Sequence, residues 1–191
     1  MKKNIIILFF VICILQCSIC PYASDNMTIL TTYNAGEASV TVSGVSYGKT
    51  VVTVMPYGMT VDDLQDTDVP SYFMRMFVSG GNYKCVIGIP EDAPGGRYTI
   101  LVSSASGKAE SQFIHVNSNE ALYIVQLIND AYNDSESVKN IVEENALSLG
   151  IDDTDTVFKN NIEQIAKMLA SKVYNDVAAF HDAYSLIHSI V

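Results

Sequence analysis

Two periodicities divide the chain. Up to Phe113, apolar side chains recur at every second position, as in Ala38–Val40–Val42, Val51–Thr53–Met55, Cys85–Ile87–Ile89 and Tyr98–Ile100–Val102, with Phe73 and Phe113 as further markers. Period two predicts strands with one buried face, because successive side chains point to opposite sides of a sheet. Turn signals separate these runs: Asn34-Ala35-Gly36, Tyr47-Gly48, Pro56-Tyr57-Gly58, Gly80-Gly81-Asn82, Pro94-Gly95-Gly96 and Ser106-Gly107. A spacing of roughly 8 to 12 residues gives about seven strands between Met27 and Val116, the pattern of an antiparallel β-sandwich.

Beyond Asn117 the period becomes helical. This stretch has one glycine, Gly150, and no proline. Asn117 or Ser118 can cap a helix running to about Asn133, with Leu122, Val125, Ile128 and Tyr132 on one stripe. Ser135 can cap a second, with Val138, Ile141, Val142 and Leu149 inward and a stop at Gly150. Asp152 to Asp155 can cap a third, in which Phe158, Ile162, Ile165, Ala166 and Leu169 recur at helical spacing. Val173, Val177, Phe180, Tyr184, Ile187 and Val191 mark a last helix or a continuation of the third. Short connections predict a small antiparallel helical bundle. The apolar pattern runs to the last residue, so either the final helix docks tightly or a longer natural chain continues it. The fold class expected is therefore α+β with the two types segregated, strands first and helices after.

The first residues read differently from both halves. Lys2 and Lys3 precede an unbroken apolar run, Ile5 to Leu15, followed by small residues at Ala23 and Ser24 before the first acid, Asp25. This order predicts a secretory signal peptide over 1–24. The run is short for a membrane span, which needs about 20 apolar residues. A retained anchor and a lipoprotein remain alternatives; neither Cys17 nor Cys20 follows the small residue that lipidation requires. The expected units are then 1–24 as signal peptide, 25–117 as the β-domain and 118–191 as the helical domain. Localisation is expected to be secreted or cell-surface, with a membrane association only if the leader is retained.

Export changes how cysteine and charge are read. Cys13, Cys17 and Cys20 lie in or beside the leader, which leaves Cys85 alone among about 167 remaining residues. One cysteine forms no internal disulfide, so the fold is no disulfide scaffold. Losing Lys2 and Lys3 and no acid takes the formal net charge from −10 to −12. An acidic surface repels phosphates, which argues against nucleic acid as a partner.

One segment carries a family resemblance. Ile87-Gly-Ile-Pro-Glu-Asp-Ala-Pro-Gly-Gly-Arg-Tyr-Thr-Ile-Leu-Val102 resembles the E–F corner of bacterial immunoglobulin-like and fibronectin-III-like extracellular modules, in which a proline-glycine loop leads into G-x-Y-x-hydrophobic. Ala38 to Val54 resembles the B–C hairpin of the same modules. The resemblance covers roughly residues 26 to 116. It implies an immunoglobulin-like sandwich in which Tyr98 forms a tyrosine corner, its hydroxyl bonding backbone near Asp92 or Ala93. Ile100 stands where an antibody domain carries its second cysteine, and the chain has no tryptophan, so the antibody-type core is absent. Such modules imply adhesion, spacing or docking, with other extracellular proteins or cell-wall glycans as partners.

Chemistry-bearing motifs add little. His181 and His188 are seven residues apart on one helix, about 10.5 Å, too far to share a metal; with His115 they read as surface or interface histidines. Ser46-Tyr-Gly-Lys49 and Ser24-Asp25-Asn26 imitate penicillin-recognising signatures, but in the wrong order and context and with no Lys-Thr-Gly. The acids at 62, 63, 66 and 68, and Asp152, Asp153 and Asp155, lack the glycine and glutamate spacing of a calcium loop. Cys85, within an apolar run, reads as a buried thiol. No cofactor, metal or catalytic residue is expected, and the chain is expected not to be an enzyme. The candidate surface is instead aromatic: Tyr33, Tyr47, Tyr57, Tyr72 and Tyr83 cluster near predicted turns, either as strand-end packing or as a glycan- or protein-binding edge. The function expected is a non-catalytic module for adhesion, spacing or protein docking; the alternative is a carbohydrate-binding accessory of a secreted polysaccharide-degrading system.

Overall fold

The structure, a computed structural model, describes residues 27–34, 37–60, 63, 74–79, 81–105 and 107–191. The signal-peptide reading over 1–24, together with Tyr72 and Phe73, lies outside the described residues.

The protein is α+β, with antiparallel strands in two sheets followed by four helices. The strands are β1 (Thr28–Asn34), β2 (Ser39–Ser46), β3 (Thr50–Pro56), β4 (Met74–Val78), β5 (Gly81–Gly88), β6 (Gly96–Ser104) and β7 (Gly107–His115). One sheet has the order β1-β2-β5, the other β4-β3-β6-β7. Residues 38–54, read from the sequence as a hairpin, are therefore not one: β2 and β3 belong to different sheets. The chain crosses between them at Tyr47-Gly48-Lys49, where Gly48 has φ +72°, a region that favours glycine. The Ser46 and Thr50 hydroxyls, both buried and 2.6 Å apart, hold the two sides of this corner together.

A hydrophobic cluster draws on both sheets: Val40 and Val42 from β2, Cys85 and Ile87 from β5, Val52 and Val54 from β3, Ile100 and Val102 from β6. β5 alternates cleanly, its exposed residues interleaving with Tyr83, Cys85 and Ile87. β3 does not. The expected inward set Val51–Thr53–Met55 gives way to Val52 and Val54, which pair with Val102 and Ile100 of β6. Thr53, Met55, Thr99 and Leu101 are buried as well. Both central strands of the larger sheet are thus covered on both faces, and a strand buried on two sides carries no alternation from which its parity could be read.

The helices are α1 (Ser118–Asp130), α2 (Ser135–Glu144), α3 (Thr156–Leu169) and α4 (Val177–His188). Each opens on an Asn or Asp whose side chain accepts from a backbone N–H of the first turn: Asn117, Asp134, Asp155 and Asp176. Such a cap contributes about 1 kcal/mol. A second apolar cluster joins them, with Ile128, Val142, Leu149, Ile165, Leu169 and Phe180 at its centre. The stripe expected on α1 is rotated. Ala121, Ile124, Val125 and Ile128 are buried, whereas Leu122 and, just beyond the helix, Tyr132 are exposed. Val173 likewise faces outward, and Tyr174 takes the inward place, donating its hydroxyl to the Leu169 carbonyl at 2.9 Å.

Candidate functional site

The two halves meet where the β6 start and the β7 end face α1 and the α2–α3 connection. Asn117, between β7 and α1, works in both directions. Its Oδ1 accepts from the N–H groups of Asn119 and Glu120, capping α1. Its Nδ2 donates to the carbonyls of Glu91 (3.0 Å) and Ala93 (2.9 Å) in the β5–β6 loop. From α1, the Glu120 carboxylate accepts the Gly95 N–H at 2.9 Å and the Ser148 hydroxyl at 2.6 Å. A Cβ at position 95 would come within 3.0 Å of Glu120 Oε2 and 3.1 Å of Ser148 Cα, so a larger residue here would have to push α1 or the α2–α3 connection back by a few tenths of an ångström.

Arg97 completes the junction. Its Nη2 lies 2.8 Å from Asp152 Oδ1 and 2.7 Å from Asp153 Oδ1. The Arg97 side chain is mostly buried while both aspartates are half exposed. The Thr154 hydroxyl, then Arg97, and then the Thr154 N–H hold the Asp152 carboxyl down at about 2. Arg97 is in turn held charged by the same two aspartates.

These contacts floor an open groove of about 500 Å³, within the range of ligand sites. Pro56, Tyr57, Leu147, Thr154 and Gln112 of β7 line it together with Arg97. A second depression of about 280 Å³ continues it past Gly95 and Gly96 toward Glu143 and Glu144. The Tyr57 N–H donates to the Arg97 carbonyl at 2.8 Å, which fixes the tyrosine at the rim.

The expected tyrosine surface does not form as a unit. Tyr57 is 62% exposed and lines the groove; Tyr47 is 44% exposed and is not among the residues lining it. Tyr83 is only 5% exposed and donates to the Thr28 carbonyl at 3.1 Å. Tyr33 is half-buried, stacked on Phe113 with centroids 5.1 Å apart. Tyr83 is thus a core group and Tyr33 packs against that core, because the other sheet or a neighbouring strand covers them. Tyr98 is fully buried, and its hydroxyl donates to the Pro94 carbonyl at 3.0 Å, one or two residues from the acceptors expected. Arg97, Gln112, Leu147 and Thr154 were missed by sequence reading. Only Arg97, a lone cation beside the proline-glycine loop, carried a signal that could have found it.

His115, expected at a surface or an interface, is 3% exposed. Its Nδ1 lies 2.8 Å from the Tyr33 hydroxyl, which also accepts from the Val116 N–H at 3.3 Å. Its Nε2 is buried without a hydrogen bond of good geometry. Burial holds the ring below its ordinary value of 6.5, against the opposing pull of the Ala93 carbonyl and the Glu120 charge. His181 Nε2 reaches the Leu149 carbonyl at 2.8 Å, and His188 Nε2 reaches Asp155 at the same distance. The acids at 152, 153 and 155 are therefore taken up by Arg97, Thr154, His188 and the α3 cap; of the other cluster, Asp63 caps Thr60, and residues 62, 66 and 68 lie outside the described residues. Among the described residues no group of three or more His, Cys, Asp or Glu is placed to hold a metal ion, and no helix is long and apolar enough to cross a membrane. Cys85 is buried, and burial raises its thiol pKa.

Against protein-family models and against curated proteins, the chain matches none.

Proposed function

We propose that the chain is a non-catalytic secreted or cell-surface module for adhesion, spacing or protein docking. In this reading a seven-stranded immunoglobulin-like β-sandwich over 25–117 is followed by a small antiparallel helical bundle over 118–191, and the two move as one body. The observation that carries it is the junction. Asn117, Glu120 and Arg97 each bond across it, and their partners lie on the β5–β6 loop, on Gly95 and on the α2–α3 connection. A spacer or docking module needs a fixed angle between its parts, and bonds that cross the linker on three separate side chains supply one. The strand orders β1-β2-β5 and β4-β3-β6-β7, with the Tyr98–Pro94 bond, support the sandwich reading.

The test is small-angle scattering of the chain secreted from a host carrying its own leader. One rigid particle, recovered outside the cytoplasm, is the expected result. A distance distribution that needs several relative placements of the halves, or retention of the chain in the cytosol, would remove the reading.

A further inference from the structure

We infer that the groove between the sheets and the helices binds a chain of uncharged sugars. Three features point there. First, the groove is open and continues into the second depression past Gly95 and Gly96, a shape suited to a linear chain rather than to an enclosed small molecule. Second, Tyr57 stands at the rim with its ring largely in solvent and its backbone tied to Arg97. A ring so placed offers an apolar face to the C–H face of a pyranose at little entropic cost. Third, the polar groups lining it can meet hydroxyls: the Gln112 amide both donates and accepts, the Thr154 hydroxyl, which donates to Asp152, can still accept, and the Asp153 carboxylate accepts from Arg97 through one of its two oxygens. Vicinal hydroxyls, which also donate and accept at neighbouring atoms, match such a set.

The same residues argue against two other occupants. Asp153, Glu143 and Glu144 line the walls, so a chain of uronic acids would meet like charge. An extended peptide could add to a sheet only at a free edge; of the strands lining the groove, β3 and β6 are paired on both sides, and the edge strand β7 contributes only Gln112. The inference goes beyond the module reading, and the two fail separately: scattering reports the rigid body whether or not sugar binds.

The experiment is calorimetric titration of the full secreted chain with xylohexaose, mannohexaose and chitohexaose, with hexagalacturonate and a lysine-rich decapeptide as counter-probes. At least one neutral hexasaccharide is expected to bind, with amide shifts at Gly95, Gly96 and Gln112 on NMR titration. Tyr57→Ala is expected to weaken that binding about tenfold, as loss of a stacking anchor does, while Tyr57→Phe keeps it. Gln112→Ala is expected to weaken it severalfold. Both side chains are exposed, so the thermal midpoint should not move. The inference is overturned if no neutral hexasaccharide binds, if the decapeptide or hexagalacturonate binds in their place, or if Tyr57→Ala binds the sugar as tightly as the parent chain.

Discussion

The two halves bury different chemistry. Among the described residues, every buried polar side chain lies on the β-side of the junction: Ser39, Ser46, Thr50, Thr53, Thr99 and His115. The buried side chains of the helical half are apolar apart from the Tyr174 hydroxyl, which is bonded to Leu169. A helix satisfies its backbone internally, so its core face can be filled with Leu, Ile, Val and Phe at period 3.6. The strands here take cover on both sides of β3 and β6, and small β-branched hydroxyl residues sit there beside the aliphatic ones. The helical core thus rests on packing volume. The β-half rests on packing plus polar side chains, of which Ser46 with Thr50 and His115 with Tyr33 are bonded in pairs.

The comparison breaks hardest at Phe180, fully buried in the helical cluster and edge-on to Tyr174 at 5.5 Å. Phe180→Ala is expected to destabilise by about 3–5 kcal/mol. Chemical denaturation followed by both near- and far-ultraviolet circular dichroism checks it. If the junction couples the halves, the strand and helix signals shift together, and a strand transition left in place would separate them. Asn117→Ala comes next, at about 1–2 kcal/mol for the lost cap, and with it the two bonds to the β5–β6 loop. Since the cap belongs to α1 and the loop to the sheets, amide exchange should rise on both sides of residue 117. Exchange rising in α1 alone would mean that the loop bonds carry nothing.

A smaller effect is expected from pH. His115 is neutral in the fold with its pKa lowered from 6.5, so the unfolded chain takes up a proton that the folded chain refuses. Stability is then unaffected by this group above pH 6.5 and falls as pH drops below it. Thermal midpoints between pH 7 and pH 5 should decline, and His115→Gln should flatten that decline. Arg97→Ala is the mildest on stability, about 1 kcal/mol or less, because both aspartates are half exposed. Its signature is electrostatic. The Asp152 carboxyl, held near 2 by Thr154 and Arg97, should titrate closer to 3.8, seen by carbon-13 NMR. A depressed carboxyl contributes stability that is present above its unfolded value and disappears as pH falls toward 2, so the deficit of the variant should be full above pH 4 and shrink between pH 4 and pH 2, its stability falling less steeply there than the parent's.

How far the sequence could be read follows from the range of each interaction. Three helix starts lie within one residue of the caps the sequence offers at Asn117, Ser135 and Asp155, because a cap is local: Asp134 accepts from Ser137, three residues on. The last start, where Asp176 accepts from Ala179, lies four residues beyond the Val173 at which the expected run begins. The Tyr98 hydroxyl bond is equally local, its acceptor Pro94 lying four residues away where the resemblance implied Asp92 or Ala93. β5 was legible because one of its faces is wet, whereas β3, wet on neither, hid its parity. The groove was not legible at all apart from Tyr57. Arg97 meets Asp152 across 55 residues and Asp153 across 56, and no spacing rule reaches that far.

What the sequence alone determined is the division into a strand half and a helix half and the places where the first three helices begin, since both follow from side-chain period and from backbone groups satisfied within a few residues. The tertiary structure decided which tyrosines are surface and which are core, that a histidine is buried at the junction, and that one arginine spans to two aspartates. Exposure belongs to whatever packs over a residue, and that partner is chosen by the fold and not by the residue's neighbours in the chain.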